Sequence, residues 1–144
     1  MSIKETKEYL CRAYRIDQRI NSKLEQVVSL RALVTKVTAT YTDMPKGQGD
    51  ISSRENIIVK IIDLEQLIKN DIDALVDFKT EAIEKIKTIP NVELQMLLEL
   101  RYICFKPWDE IAEEMGFSLQ HIFRLHSSAL QEFSKILKDE SKCD

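Results

Sequence analysis

The chain has 144 residues, a net charge of −3, 44% hydrophobic and 31% charged residues, and only 3 glycines and 3 prolines. Turn formers this scarce exclude a sandwich or barrel with many reversals and argue against glycine-rich phosphate loops. The charge-rich but amply apolar composition excludes a disordered chain, and no apolar run approaches the ~18 residues of a membrane span.

The N-terminal stretch MSIKETKEYLCRAYRID mixes both charge signs and lacks the apolar core of a signal peptide, so a cytoplasmic protein is expected. Cys11, Cys104 and Cys143 are odd in number and far apart, which predicts reduced thiols, with Cys143 the readiest to react. From Ile3 to Tyr41 there is no glycine or proline. Ala13, Ile16, Ile20, Val27, Leu30, Val34, Val37 and Tyr41 recur in steps of three and four, broken once by Lys23. That spacing predicts one helix of ~39 residues, roughly 58 Å long. The stretch TDMPKGQGD (42–50) reads as a loop, and Ser52 or Ser53 as the N-cap of the next helix.

A second long helix is predicted over about Arg54 to Lys87. Its stripe is Ile57, Ile61, Leu64, Ile68, Leu75, Phe78 and Ala82, with Asp71 and Lys85 at intervening slots. Two long helices joined by one short loop should fold back as an antiparallel hairpin, a coiled coil that hides both stripes. Leu24, Val28 and Leu33 widen the first stripe, and Ile58, Ile62, Leu67 and Ile72 widen the second. A tail of some 60 residues cannot cover two helices of ~50 Å, so the extra width points to a second subunit and a homodimer.

Pro90 and Asn91 close the second helix, and residues 92–105 (VELQMLLELRYICF) are apolar nearly all round, as a buried helix is. Pro107 interrupts; the pattern restarts over 108–137, and DESKCD is expected to fray. Within this part, Trp108 to Ser127 meets the requirements of a helix-turn-helix. Ala112 is the small residue for a close helix crossing. Gly116, the sole glycine after Gly49, stands four residues on, where the turn needs positive φ. Ile122 and Leu125 point inward from the second helix, Ile111, Met115 and Phe117 surround the turn, and Ser118 stands as an N-cap. An ordinary pair of core helices joined by a glycine turn would share this pattern. Asp109, Glu110, Glu113 and Glu114 would repel phosphate if they faced it, and residues 91–144 carry 6 Lys+Arg against 10 Asp+Glu.

The run LLELRYICFKPWDEIAEEMGFSLQHIFRLHSSALQEF resembles the DNA-binding fourth region of bacterial sigma factors, in which an L-x-x-R-Y segment leads through W-x-E-I-A-x-x-M/L-G-x-S into a helix ending in A-L. The whole chain, including AYRIDQRINSKLEQVVSLRALVTKVT and the D-I-D-x-L-V-D stretch, resembles a family of small phage and prophage proteins of Gram-positive bacteria, related to ArpU-like and RinA-like regulators of phage late genes. The resemblance implies a phage-encoded transcription regulator that binds double-stranded DNA and contacts RNA polymerase. The run matching the recognition helix supplies Ser118, Leu119, Gln120, His121, Phe123, Arg124 and Ser127 as DNA-binding candidates. It departs from the sigma pattern in having few long polar side chains. Gln120 can pair adenine and Arg124 guanine, Leu119 could touch a thymine methyl, and Lys135 and Lys138 suit phosphate.

Other chemistry finds little support. His121 and His126 lie about 140° apart around a helix and cannot ligate one ion, so both read as surface or DNA-facing residues. Glu113 and Glu114 read as solvated carboxylates, and no His, Cys or Ser has an activating partner. Gly47-Gln48-Gly49 lacks the preceding strand of a phosphate cradle. Tyr102 and Trp108 read as core residues, although Trp108 at a helix start could also lie near a phosphate. No enzyme, metal or cofactor is expected. The sequence thus predicts an all-α protein: residues 1–89 form a dimerising antiparallel hairpin and 90–144 a helix-turn-helix DNA-binding domain. The alternative is a coiled-coil adaptor that grips RNA polymerase or another protein without reading DNA.

Overall fold

A computed structural model describes residues 2–43 and 48–142, with side chains placed for 2–37 and 52–140. The described residues are almost entirely helical, with no strand among them. The helices are α1 (Ile3–Leu10), α2 (Arg12–Asp43), α3 (Gln48–Ile86), α4 (Val92–Leu98), α5 (Trp108–Met115) and α6 (Leu119–Lys142), with a π-helical turn over Glu99–Ile103 after α4. No helix among the described residues is long and apolar enough to cross a membrane. The chain divides into two compact units, one of residues 1–15 with 75–144 and one of residues 16–74. The expected division between residues 89 and 90 does not coincide with an edge of either unit.

In the unit of residues 16–74, the predicted stripes of α2 and α3 form the inner surface. Ile20, Val27, Ile61 and Ile68 are buried, and Ile16, Leu30, Val34, Ile57 and Leu64 are half-buried. Lys23, the one break in the first stripe, meets Asp71 of the second at 2.5 Å. Arg31 meets Glu65 at 2.7 Å. High numbers on one helix meet low numbers on the other, so these segments run in opposite directions. The residues that widen the stripes, Leu24, Val28, Leu33, Ile58, Ile62, Leu67 and Ile72, are all exposed.

The first unit holds the main core. Ile86, Ile89, Leu97, Leu98, Ile122 and Phe133 are essentially inaccessible, and Leu10 of α1 joins them. Asn91 caps α4 by accepting from the Glu93 N–H at 2.9 Å. Tyr9 ties α1 to its surroundings: its ring lies 5.1 Å from Phe78 and 5.8 Å from Phe133, and its hydroxyl donates to Glu81 at 3.0 Å. Lys85 contacts Glu81 at 2.7 Å and Glu140 at 2.9 Å. Burial opposes the Lys85 charge, but the hydrogen bonds with Glu81, Glu140 and Tyr9 outweigh it and raise its pKa.

Four expectations change. The first helix is not continuous, because a turn at Cys11 separates α1 from α2. Leu10 and Ala13 on either side of it are buried in two different clusters, and no glycine or proline announces the break. The second long helix starts at Gln48 rather than near Arg54, leaving Ser52 and Ser53 exposed inside it rather than capping it; one helical glycine costs only about 1 kcal/mol. Residues 92–105 are not buried all round, since Val92 is 73% exposed and Met96 faces solvent. The last helix runs through Lys142, beyond the expected end near Leu137. Cys143 and residues 44–47 of the expected loop lie outside the described residues.

Candidate nucleic-acid interface

Pro107 introduces α5 in an extended conformation, with its carbonyl accepting from the Ile111 N–H at 3.1 Å. The helix ends where Gly116 adopts φ 72°. There the Phe117 N–H donates to the Ala112 carbonyl at 3.0 Å and the Gly116 N–H to the Glu113 carbonyl at 3.3 Å. This pair of bonds is a Schellman closure, which glycine makes without strain. Ser118 then opens α6, its hydroxyl oxygen accepting from the His121 N–H at 3.2 Å. Three residues, Gly116, Phe117 and Ser118, thus connect the two helices.

Packing follows the sequence pattern here. Ile111 and Ile122 are fully buried and Ala112 is nearly so, while Met115, Phe117 and Leu125 pack against the same cluster. Of the candidate DNA-facing residues, Ser118, Leu119, Gln120, Phe123, Arg124 and Ser127 are exposed. Gln120, Arg124 and Ser127 follow steps of four and three and so share one side of α6. His121 departs from the set: it is half-buried, with its ring 4.6 Å from that of Phe117.

His126 is also not a surface residue. It stands four residues after buried Ile122, and its Nε2 lies 2.6 Å from the Tyr102 hydroxyl. Burial first, then the nearby charges of Lys7 and Arg101, push its pKa down to about 4. The ring is therefore neutral at pH 7, and its Nε2 can accept a hydrogen bond from the phenol O–H. Burial likewise pushes the Tyr102 phenol up to about 12.

Trp108 links α5 to the exposed side of α6. Its ring meets Phe123 edge-on at 5.6 Å and His126 at 4.6 Å. The Arg101 guanidinium lies 4.4 Å above Trp108 and donates to the Lys106 carbonyl at 3.1 Å. Arg101 is a cation beside the candidate interface that pattern reading did not single out; its place in the L-x-x-R-Y run was the available signal. The acidic residues Asp109, Glu110, Glu113 and Glu114 are all exposed on α5. Lys106 is paired with Glu114, whose hydrogen bond raises the lysine pKa. Lys135 pairs with Glu132 at 3.3 Å. In comparisons with protein-family models, with curated proteins and with solved structures, the chain matches none.

Proposed function

We propose that the protein is a phage-encoded transcriptional regulator that binds double-stranded DNA through a helix-turn-helix made of α5, the Gly116 turn and α6. One observation carries the reading: a left-handed glycine and a serine cap join two helices whose contact is sealed by Ala112 and Ile122, while Gln120, Arg124 and Ser127 stay exposed. A recognition helix needs that combination of a fixed crossing and free polar side chains near its start. The sigma-like run around it favours the same reading. In this proposal the protein acts in the cytoplasm, without enzymatic activity or cofactor.

The antiparallel hairpin of α2 and α3 supplies self-association. The register set by Lys23–Asp71 and Arg31–Glu65 brings Leu24 level with Ile72, with Ile58 and Ile62 further toward the opposite end. A two-fold axis near the Arg31–Glu65 pair sets one apolar patch on the other patch of a second copy. Dimerisation compensates for the acidic balance of the C-terminal residues, because two weak DNA modules held together gain effective concentration. Sedimentation tests this: Val28→Glu with Ile62→Glu should turn a dimer into a folded monomer, and a wild type monomeric at every concentration removes the dimer.

The rival reading, an adaptor that grips RNA polymerase or another protein, is favoured by exposed Leu119 and Phe123, at 45% and 48%. Selection of bound sequences from random duplexes, followed by mobility shifts against salt, separates the two. A DNA binder enriches a sequence and loses affinity along a log–log slope set by its phosphate contacts. An adaptor enriches nothing.

A further inference from the structure

We propose that the open pocket bordered by α1, the π-helical turn and the starts of α2 and α5, with His126 of α6 in its wall, is a binding site for a nucleoside phosphate. Its volume of about 540 Å³ falls among those of small-molecule sites, ~300–1,000 Å³. Tyr14, Tyr102, Phe105 and Trp108 provide aromatic wall, while Lys7 and Arg101 bring two cations and no lining residue is a carboxylate. Among the described residues, neither Lys7 nor Arg101 makes an ion pair.

The backbone is distorted where it lines the cavity. The π-helical turn spans Glu99–Ile103 and delivers both Arg101 and Tyr102 to the wall, whereas Leu97 and Leu98 just before it are sunk in the core. Turns of this kind recur at functional sites. Phe105 holds φ 59°, the only positive φ outside glycine among the described residues. A bulky side chain adopts that conformation only when its surroundings impose it, and such positions cluster around ligands. Here the strain presents the Phe105 ring edge-on to Tyr14, 5.6 Å away.

The chemistry of the wall selects the ligand. His126 is neutral, so the charges lining the cavity are the two cations, and they favour an anion that accepts charge-assisted hydrogen bonds. The aromatic surfaces favour a planar ring, and base–aromatic stacking accepts any nucleobase. A phosphate alone would leave the aromatic wall bare, and a nucleoside alone would leave Lys7 and Arg101 without a counter-charge, Arg101 having only the Lys106 carbonyl and the Trp108 ring as partners. A nucleoside phosphate satisfies both. This site does not depend on DNA binding by α6.

Calorimetry on the full chain with AMP, GMP, adenosine, inorganic phosphate and a 5′-phosphorylated single-stranded hexanucleotide tests it. AMP or GMP should bind one to one, about tenfold or more tighter than adenosine or phosphate. A hexanucleotide tighter than AMP supports the same chemistry supplied by a strand; one equal or weaker supports a free nucleotide. Lys7→Gln should weaken AMP about tenfold at unchanged melting temperature, and Arg101→Gln should weaken it about tenfold with a lower melting temperature, since Arg101 also holds the Lys106 carbonyl and the Trp108 ring. Should either variant misfold, His126 decides: in a His121→Asn protein its NMR pKa should rise on AMP binding, because the phosphate offsets the Lys7 and Arg101 charges that bear on it alongside the Tyr102 hydroxyl and the Trp108 ring. Adenosine or phosphate binding as tightly as AMP, no saturable binding of any probe, or an unmoved His126 overturns the proposal.

Discussion

Lys23 Nζ lies 2.5 Å from Asp71 Oδ2 within the apolar row joining α2 to α3, and the two side chains are 21% and 17% exposed. Arg19 approaches the same carboxylate at 3.8 Å. A polar pair inside a heptad seam fixes register at some cost in stability. Asp71→Ala should therefore destabilise the protein by about 1–3 kcal/mol, between the values for exposed and fully buried pairs. Replacing Lys23 and Asp71 together by leucine should cost less than the single change, or stabilise. Urea unfolding measures both, and a double variant as weak as the single would remove the pairing argument.

The Gly116 turn permits a clean separation of strain from crowding. Beyond its own chain neighbours, a Cβ added there would meet no heavy atom within 4 Å. Gly116→Ala should then cost only the left-handed backbone penalty, about 1–2 kcal/mol, and Gly116→Asn less. A thermal melt showing a much larger loss would mean that the turn is tighter than its geometry indicates.

Acid should act on the core through His126. Its folded pKa is depressed from 6.5 to about 4, so the unfolded chain takes up this proton first as pH falls. Its contribution to stability is present above pH 6.5 and is lost as pH drops toward 4. His126→Gln should be less stable at neutral pH and show a flatter stability profile across that window. Denaturation midpoints at several pH values give the comparison; parallel profiles would assign the slope to other groups.

Arg124 is exposed and shares a side of α6 with Gln120. If that side enters a major groove, Arg124→Ala should weaken binding to a selected duplex by about 1–3 kcal/mol and relax preference at one base pair. Mobility shifts on selected and scrambled duplexes provide the readout. Equal affinity of wild type and variant for both would end the case for sequence reading by this helix.

Much of this architecture was legible because heptad spacing is a one-dimensional signal. Ile20, Val27, Ile61 and Ile68 lie buried where the spacing put them, and Gly116 and Ser118 carry the geometry that their residue types favour. The break at Cys11 was illegible because no breaker residue marks it and Cys11 keeps a right-handed helical φ of −75°. The burial of His126 had a signal that chemical habit overrode: Ile122, Leu125, His126, Ala129 and Phe133 continue one apolar stripe, and a histidine in it belongs to the interior. The cavity had no such signal, since its walls come from positions 7 to 126 and meet only after folding.

The contact of α1 with α6 bears on how the chain matures. Residues 3–10 are made before residues 119–142, so α1 leaves the ribosome long before its partner exists. The Tyr9 ring must then wait for its partner until Phe133 has been synthesised. Folding of this unit is consequently delayed until α6 has been made, and is governed by a long loop closure between residues 1–15 and 75–144. Removing residues 2–10 should leave a chain whose remaining helices form but whose C-terminal core stays open to proteases.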